Sequence, residues 1–254
     1  MLKNKITLKQ IQSQFRLEKN PQLALALARF FKTGPGQYGE GDQFLGIKVP
    51  TTRKYAKKFL SANLATTKQL VRSRFHEERL LALIILVMQY QKAVKENDPA
   101  KRELIYQTYI ACRASINNWD LVDVTTLHIV GAHLFKADCS LLYAWAKSKN
   151  LWERRMAVLA TFYFIGRNDF SHALKIAKIL LQDPQDLIHK AVGWQLREIG
   201  KRDLKVEENF LKKHAHEMPR TMLRYAIEKF PEKKRLSYLY KKGNKKRPRI
   251  ARPF

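Results

Sequence analysis

The sequence predicts an all-α protein, a curved α-solenoid (superhelix) of HEAT-like helical-hairpin repeats, on three observations. Apolar residues recur at helical spacing in almost every segment, and no stretch alternates at a period of two beyond a few residues. Helix-breaking residues interrupt this pattern regularly and leave helices of roughly ten to eighteen residues. Similar segments also recur at a fixed separation, which is typical of repeat architectures.

Turn and cap residues predict where the helices begin and end. In chain order the interruptions are Asn20-Pro21, residues 34–50, Asn97-Asp98-Pro99, Asn117-Asn118, residues 148–150, Asp183-Pro184, Met218-Pro219 and Phe230-Pro231. Each of them separates two predicted helices. We call the second one the glycine loop (residues 34–50).

Internal similarity predicts the length of the repeat. Residues 75–83 match residues 151–159 at a separation of 76, which pairs Glu77 with Glu153 and Arg79 with Arg155. Residues 187–192 follow 36 residues after Leu151. A helical hairpin of about 36 to 40 residues fits these separations. Such stacks curve, and a concave face can follow a rod such as duplex DNA.

The charge balance predicts a polyanionic partner. The 254 residues contain 49 Lys and Arg against 22 Asp and Glu, a net charge of +27. A folded chain carries this much self-repulsion mainly when a polyanion neutralises it. Nucleic acid is therefore the first expectation, and an anionic membrane surface the second.

Composition excludes several classes of protein. Two cysteines, Cys112 and Cys139, provide neither a disulfide framework nor a cysteine-rich zinc module, and they favour a reducing compartment. The longest uncharged apolar runs, 80–88 and 156–165, are about half of what a membrane span needs. The N-terminus never reaches the apolar stretch of a signal peptide. We expect a soluble cytoplasmic protein, with the bacterial cytoplasm or nucleoid as its location.

The C-terminal end differs from the rest of the chain. Half of its last fourteen residues are Lys or Arg, and they include two prolines. We expect one repeat domain over residues 1–238 and a disordered basic arm over residues 239–254. The alternative is a solubilising tail without specific contacts.

The familiar metal and nucleotide motifs are missing. The histidines form no HExxH, and His128 and His133 are five residues apart, the wrong spacing for two ligands on one helix face. The glycine loop has no Gly-Lys-Ser/Thr and does not follow a strand. We therefore expect neither a metal site nor an ATP site.

Trp194 is a candidate functional residue because it lies off its helix's apolar stripe. That stripe is Ile188, Val192, Leu196 and Ile199, and Trp194 lies about 200° round the helix from it. Gly193 beside it would leave the surface open to a ligand. Packing of Trp194 on a neighbouring repeat is the alternative.

Trp119 and Asp123 share a predicted helix face. They are four residues apart, and a helix capped by Asn117 or Asn118 would align them with Leu127 and Val130. A carboxylate in line with apolar positions is partly desolvated. It either pairs with a structural arginine of the next repeat or holds negative charge where positive charge develops.

Arg155 can also be interpreted in two ways. It follows Asn150 and Glu153, which have the spacing of a capping box. Its match to Arg79 favours a recurrent structural arginine. An arginine in the first turns of a helix near a basic face is also well placed to clamp a phosphate, and spacing alone leaves the choice open.

Four ordered motifs resemble one known family. Residues 38–50 followed by Arg53, then 118–123, 151–157 and 190–198, look like the AlkD-type DNA alkylation repair glycosylases, and the likeness runs from about residue 10 to residue 230. The resemblance implies a curved stack of HEAT-like repeats gripping duplex DNA. It also implies removal of N3- and N7-alkylated purines by cleavage of the glycosidic bond.

The resemblance also implies roles for individual residues. The catalytic aspartate corresponds to Asp123, the two site tryptophans to Trp119 and Trp194, and the DNA-backbone arginine to Arg155. It implies action on a base left largely in the stack. We expect a monofunctional enzyme with no metal and no cofactor, and a monomer is the simplest expectation. Further DNA contacts are expected at Arg53, Arg154, Lys190, Arg197, Lys241, Lys242, Lys245, Lys246 and Arg247.

The alternative to this enzyme is a non-catalytic HEAT-type protein that binds DNA or RNA structure. It would use the same basic concavity without needing a carboxylate. Retention of Asp123 together with the two tryptophans favours the enzyme.

Overall fold

The chain folds as a series of α-helices. A computed structural model describes residues 6–240, and within them the only strand-like pairing is a single parallel bridge between Gln43 and Phe75. The all-α class is confirmed, and the series of helices is consistent with an α-solenoid. The basic arm and its Lys241, Lys242, Lys245, Lys246 and Arg247 lie outside the described residues.

The helices fall into two compact units, Met1–Tyr163 and Phe164–Phe254. The first contains α1 (Leu8–Phe15), α2 (Pro21–Phe30), α3 (Val49–Lys58), α4 (Leu64–Val71), α5 (His76–Lys95), α6 (Pro99–Ala111), α7 (Trp119–Asp123), α8 (Ala132–Leu134), α9 (Ser140–Ala146) and α10 (Leu151–Ala160). The short α11 (Phe162–Ile165) spans the boundary between the units. The second contains α12 (Ser171–Ile179), α13 (Asp186–Gly200), α14 (Leu204–His214), α15 (Arg220–Ala226) and α16 (Glu232–Tyr240).

Short helices of other types join several of these. They are 3₁₀-helices at Arg16–Glu18, Arg113–Ser115 and Ile227–Lys229, and a π-helix at Leu127–Gly131. Along the described residues, no helix has both the length and the apolar character needed to cross a membrane.

Side-chain caps explain several of the helix starts. Asn20, Asp98 and Asn150 each accept a hydrogen bond from a backbone N–H in the first turn of the following helix. These bonds satisfy donors that a helix cannot satisfy internally. Asn150 is the predicted cap of α10, but Glu153 does not complete a capping box, because it accepts hydrogen bonds from Ser148 and Arg113 instead.

The core of the first unit is built around α5. This 20-residue helix is buried on most of its circumference and packs against α3, α4 and α6. Leu81, Leu83, Ile85 and Leu86 have no exposed surface. Burial of this kind contributes about 1.5–3 kcal/mol for each large apolar side chain.

The predicted internal repeat is present, but its register differs by one residue. Ser73 Oγ donates to Glu78 Oε2 and Arg79 Nη1 donates to the carbonyls of Ser73 and Arg74. The same bonds recur 75 residues later: Ser148 Oγ donates to Glu153 Oε2, and Arg154 Nη1 to the carbonyls of Ser148 and Lys149. We call these segments the first junction (residues 73–80) and the second junction (residues 148–155).

The register of 76 predicted from apparent identities is therefore wrong. A separation of 76 aligns two identical residues, Glu77 and Glu153, but the shared hydrogen bonds make Glu78 the counterpart of Glu153. They also make Arg79 the counterpart of Arg154, and Leu80 the counterpart of Arg155. A third junction (residues 183–190) keeps part of the pattern 35 residues further on, where His189 Nε2 contacts the carbonyl of Asp183.

In the second unit, α13 is the central helix and packs against α12, α14 and α15. The predicted stripe Ile188, Val192, Leu196 and Ile199 is confirmed, since all four side chains are completely buried. The expectation of an open surface at Gly193 is wrong. A Cβ atom there would lie 2.5 Å from the carbonyl oxygen of Met222 in α15, so this glycine permits close helix packing.

Candidate functional site

The short helix α7 carries two of the predicted site residues. Asn118, one of the two residues predicted to cap this helix, is its N-cap, and its Oδ1 accepts a hydrogen bond from the Trp119 N–H at 2.8 Å. The helix ends at Asp123 and does not continue to Leu127 and Val130, so that expectation is wrong. The β-branched residues 124–126 follow, and Thr125 Oγ1 donates back to the Leu121 carbonyl at 2.5 Å, which favours a helix end.

Asp123 forms a two-pronged ion pair with Arg155 of α10. Arg155 Nε donates to Oδ1 and Nη2 donates to Oδ2, both at 2.7 Å. The side chains are 14% and 6% exposed. This is the bidentate geometry in which an arginine fixes the plane of a carboxylate most firmly.

Burial and neighbouring charges shift the pKa of Asp123. Burial raises the pKa of Asp123 above its ordinary value, the hydrogen bonds and charge of Arg155 oppose this, and Asp120 adds to it. Beneath it, the Tyr109 hydroxyl bonds Thr125 and Thr126, and burial raises the pKa of Tyr109 to about 12. The phenol therefore stays neutral and adds no second negative charge beside Asp123.

Arg155 is not the recurrent structural arginine of the repeat. That position belongs to Arg79 and Arg154, which close the first and second junctions. The counterpart of Arg155 is Leu80, a 3%-exposed core residue. The match to Arg79 that favoured a purely structural Arg155 therefore disappears, and Arg155 instead forms an ion pair with the predicted catalytic carboxylate.

Trp119 is part of an aromatic layer that the sequence reasoning missed. Its ring stacks on Phe31 with centroids 5.3 Å apart, and Phe31 stacks on Phe44 of the glycine loop at 5.2 Å. Phe30 contacts Trp119 edge-on at 6.0 Å and is 62% exposed. Consecutive phenylalanines at the end of α2, of which Phe30 is exposed and Phe31 is buried, were the available signal for a binding surface.

A buried polar cluster lies under this layer. Asp42, His76, Arg79 and Asp120 are joined by hydrogen bonds, and Asn118 donates to Asp42 at 3.1 Å. Sequence periodicity did not identify it, because its members come from the glycine loop and two separate helices.

The glycine loop is fixed to the start of α5. The buried carboxylate of Glu77 accepts the backbone N–H groups of Leu45, Gly46 and Ile47 at 2.8–3.2 Å. Gly46 has a φ of +78° and lies so close to Asn20 that a Cβ atom would meet its carbonyl oxygen at 2.0 Å. The loop therefore supports the site residues and does not resemble a phosphate cradle.

The second unit holds Trp194 and two predicted DNA contacts. Trp194 is half-buried, and its Nε1 donates to Glu198 Oε1 at 3.2 Å. Lys190 pairs with Asp186 at 2.7 Å, and Arg197 pairs with Glu228. Both cations thus have acidic partners within their own unit.

Among the described residues, the other predicted DNA contacts lie in the first unit. Arg53 is exposed on α3. Arg154 uses Nη1 to close the second junction, which gives it a structural role beside the predicted one. The structure thus brings Trp119, Asp123 and Arg155 into one unit and places Trp194 in the other.

Comparison with known proteins identifies relatives of the chain. The family model described as "DNA alkylation repair enzyme" matches residues 11–230. A solved structure of a predicted DNA alkylation repair enzyme from Enterococcus faecalis is similar, with 16% sequence identity and a TM-score of 0.67. The similarity covers 85% of this chain and 98% of that one, and it establishes a shared fold. The curated proteins give no significant match.

Proposed function

Because the chain belongs to the DNA alkylation repair enzyme family, we propose that it is a monofunctional DNA glycosylase. It would excise cationic N3- and N7-alkylated purines from duplex DNA, the first step of base excision repair. The reaction hydrolyses the bond between the sugar and the damaged base. It uses no metal and no cofactor.

The observation that carries this proposal is the orientation of Asp123. Its two oxygens are held by one guanidinium at 2.7 Å, and it lies one helical turn from Trp119. A pre-oriented, partly desolvated carboxylate stabilises developing positive charge better than a mobile one in water, because it needs no reorganisation during the reaction.

The chemistry of the substrate explains why one carboxylate suffices. An N3- or N7-alkylated purine is positively charged, so it leaves readily with the electron pair of the C1′–N9 bond. The sugar then develops oxocarbenium character, which Asp123 stabilises while it orients the attacking water. The water oxygen forms the new bond to C1′, and its proton passes to the carboxylate or to solvent.

The other site residues would bind the lesion. The indoles of Trp119 and Trp194 would contact the cationic base and its sugar, worth on the order of 1–2 kcal/mol each when desolvated. Arg155 would orient Asp123 and contact the phosphate beside the lesion. Selection of the damaged base would then depend on its positive charge and its weakened glycosidic bond, so bulky adducts would be tolerated.

The proposed partner follows from the charge. A net charge of +27 supports a sequence-independent grip on the phosphates of duplex DNA. We propose a monomer that acts in the cytoplasm on the bacterial nucleoid.

Asp123→Asn tests the proposal. We expect it to abolish release of 7-methylguanine from methylated duplex DNA in single-turnover assays, with DNA affinity within a few-fold of wild type. Asp138→Asn, at an exposed aspartate, is the matched control and should leave both unchanged.

A wild-type protein that binds duplex DNA but releases no alkylated base would contradict the proposal. That result would favour the non-catalytic binder of DNA or RNA structure. Equal release by wild type and Asp123→Asn would keep the enzyme and reject the assigned carboxylate.

A further inference from the structure

A single buried histidine joins the glycine loop to α7. His76 is the first residue of α5, and its side chain is 2% exposed. Its Nδ1 lies 3.1 Å from Oδ2 of Asp42, and its Nε2 lies 2.8 Å from Oδ2 of Asp120. One ring therefore bridges two segments that are far apart in the sequence.

The hydrogen-bond pattern requires a charged ring. Both partners of His76 are carboxylates, which only accept hydrogen bonds when ionised, whereas a neutral imidazole has a single N–H. Two bonds therefore need an imidazolium. Burial acts against the charge, but the hydrogen bonds to Asp120 and Asp42 outweigh it and raise the pKa of His76 to about 9.

The surrounding charges are balanced. The charged groups that face the ring are Asp42 of the glycine loop, Asp120 of α7 and Arg79 of its own helix. Arg79 Nη2 donates to Asp42 Oδ1 at 2.5 Å, so two cations neutralise two carboxylates. Burial would raise the pKa of Asp42, but His76, Arg79 and Asn118 hold it below its ordinary value.

This network holds the first turn of α7 at two points. Asn118, the N-cap, donates to Asp42, and Asp120 accepts from His76. Trp119 lies between those residues, and Asp123 is one turn further on. A helix of five residues has no stability of its own, so tertiary contacts must set its position.

The aromatic layer connects the same ring to Trp119. The imidazole of His76 stacks on Phe44 at 4.7 Å and lies 4.9 Å from the ring of Phe31. Phe31 in turn stacks on Trp119. A charged ring against two phenyl faces gains cation–π attraction, which the neutral ring would lose.

We propose that His76 is a positioning residue for base excision, acting as a doubly hydrogen-bonded imidazolium that fixes α7 and thereby Trp119 and Asp123. This role rests on the proposed glycosylase function. It makes excision depend on the charge of a residue that does not itself touch the DNA.

His76→Gln is the first test. Glutamine can donate to one carboxylate but brings no charge, so a buried carboxylate loses its cation. We expect the single-turnover rate of 7-methylguanine release to fall by about 100-fold, the effect of a displacement near 1 Å, while DNA affinity stays within a few-fold. His216→Gln, at an exposed histidine, should match wild type.

The double variant His76→Gln/Asp120→Asn separates positioning from damage to the fold. It restores the charge balance, since Arg79 still neutralises Asp42, and the two amides can bond each other. We expect it to recover part of the lost rate. A second substitution would not repair a protein that had merely been destabilised.

A pH titration provides a readout that does not depend on excision. A raised folded-state pKa means that the network is fully stabilising below about pH 6.5 and weakens as pH rises through about 9. The fluorescence of Trp119, obtained as the difference between wild type and Trp119→Phe, should therefore titrate near pH 9. The same difference measured in the His76→Gln background should not.

Three results would overturn the inference. They are a folded His76→Gln protein that excises at the wild-type rate, a double variant no faster than the single one, or a Trp119 signal that stays flat between about pH 8 and 10. If wild type releases no base, the proposed function fails instead. The fluorescence titration then still reports whether His76 controls the surroundings of Trp119.

Discussion

The first and second junctions close in the same way but serve different purposes. In both, a serine hydroxyl bonds a glutamate and an arginine bonds two carbonyls of the preceding turn. They differ in the residues that this pattern does not use. The first junction has His76 and Leu80 where the second has Leu151 and Arg155.

These differences concern the candidate site directly. His76 reaches Asp120 of α7 from one side, and Arg155 reaches Asp123 of the same helix from α10. Each charged residue stands where the other junction has a leucine. The recurring bonds thus maintain the fold, while the positions between them are free to carry polar groups that hold α7.

The largest expected effect comes from making the second junction resemble the first. Arg155→Leu installs the residue found at Leu80 and leaves Asp123 buried without its cation. We expect a loss of about 3–5 kcal/mol in the free energy of unfolding. We also expect at least about a 100-fold loss in single-turnover excision.

Arg155→Lys tests the same ion pair through the pH dependence of excision. Arg155 lowers the pKa of Asp123 against burial, so weakening this bond should raise the pKa further. If the carboxylate is the active form, excision falls as pH falls through that pKa, and the acid limb should move to higher pH in the variant. An unmoved acid limb would separate Asp123 from the rate.

Arg154→Ala and Arg79→Ala compare the closing arginines themselves. Arg154→Ala removes two bonds to carbonyls and should cost about 2 kcal/mol in urea unfolding, with excision within a few-fold of wild type. Arg79→Ala should cost more and also slow excision, because it removes a cation from Asp42. Weaker DNA binding by Arg154→Ala, with a salt slope smaller by about one, would support its predicted phosphate contact.

The smallest effect is expected at the third junction. His189 Nε2 contacts the Asp183 carbonyl in the place where the other junctions use arginine. His189→Arg should therefore leave the free energy of unfolding within about 1 kcal/mol of wild type, whereas His189→Ala should cost about 1 kcal/mol or more. Equal stabilities for all three proteins would mean that the third junction does not need this bond.

Much of the fold could be predicted from local sequence. Asn20, Asp98 and Asn150 cap the helices that their positions indicated, and the stripe through Ile188 and Leu196 is buried as its spacing required. Caps and stripes act within one helix, so a short window contains them completely.

The register of the repeat could not be predicted in the same way. Identity matching pairs Glu77 with Glu153, whereas the hydrogen bonds pair Glu78 with Glu153. Glu77 instead binds three N–H groups of the glycine loop, a long-range contact with no counterpart in the local sequence.

The sequence by itself determined the all-α class, many of the helix starts, the family, and the residues Trp119, Asp123, Arg155 and Trp194 as candidates. Only the tertiary structure decided that Arg155 binds Asp123, that Leu80 is its counterpart, and that His76 bridges Asp42 and Asp120. The physical reason is range. Helical periodicity and capping act over a few residues, whereas a buried charge is tolerated only where a partner from another helix meets it.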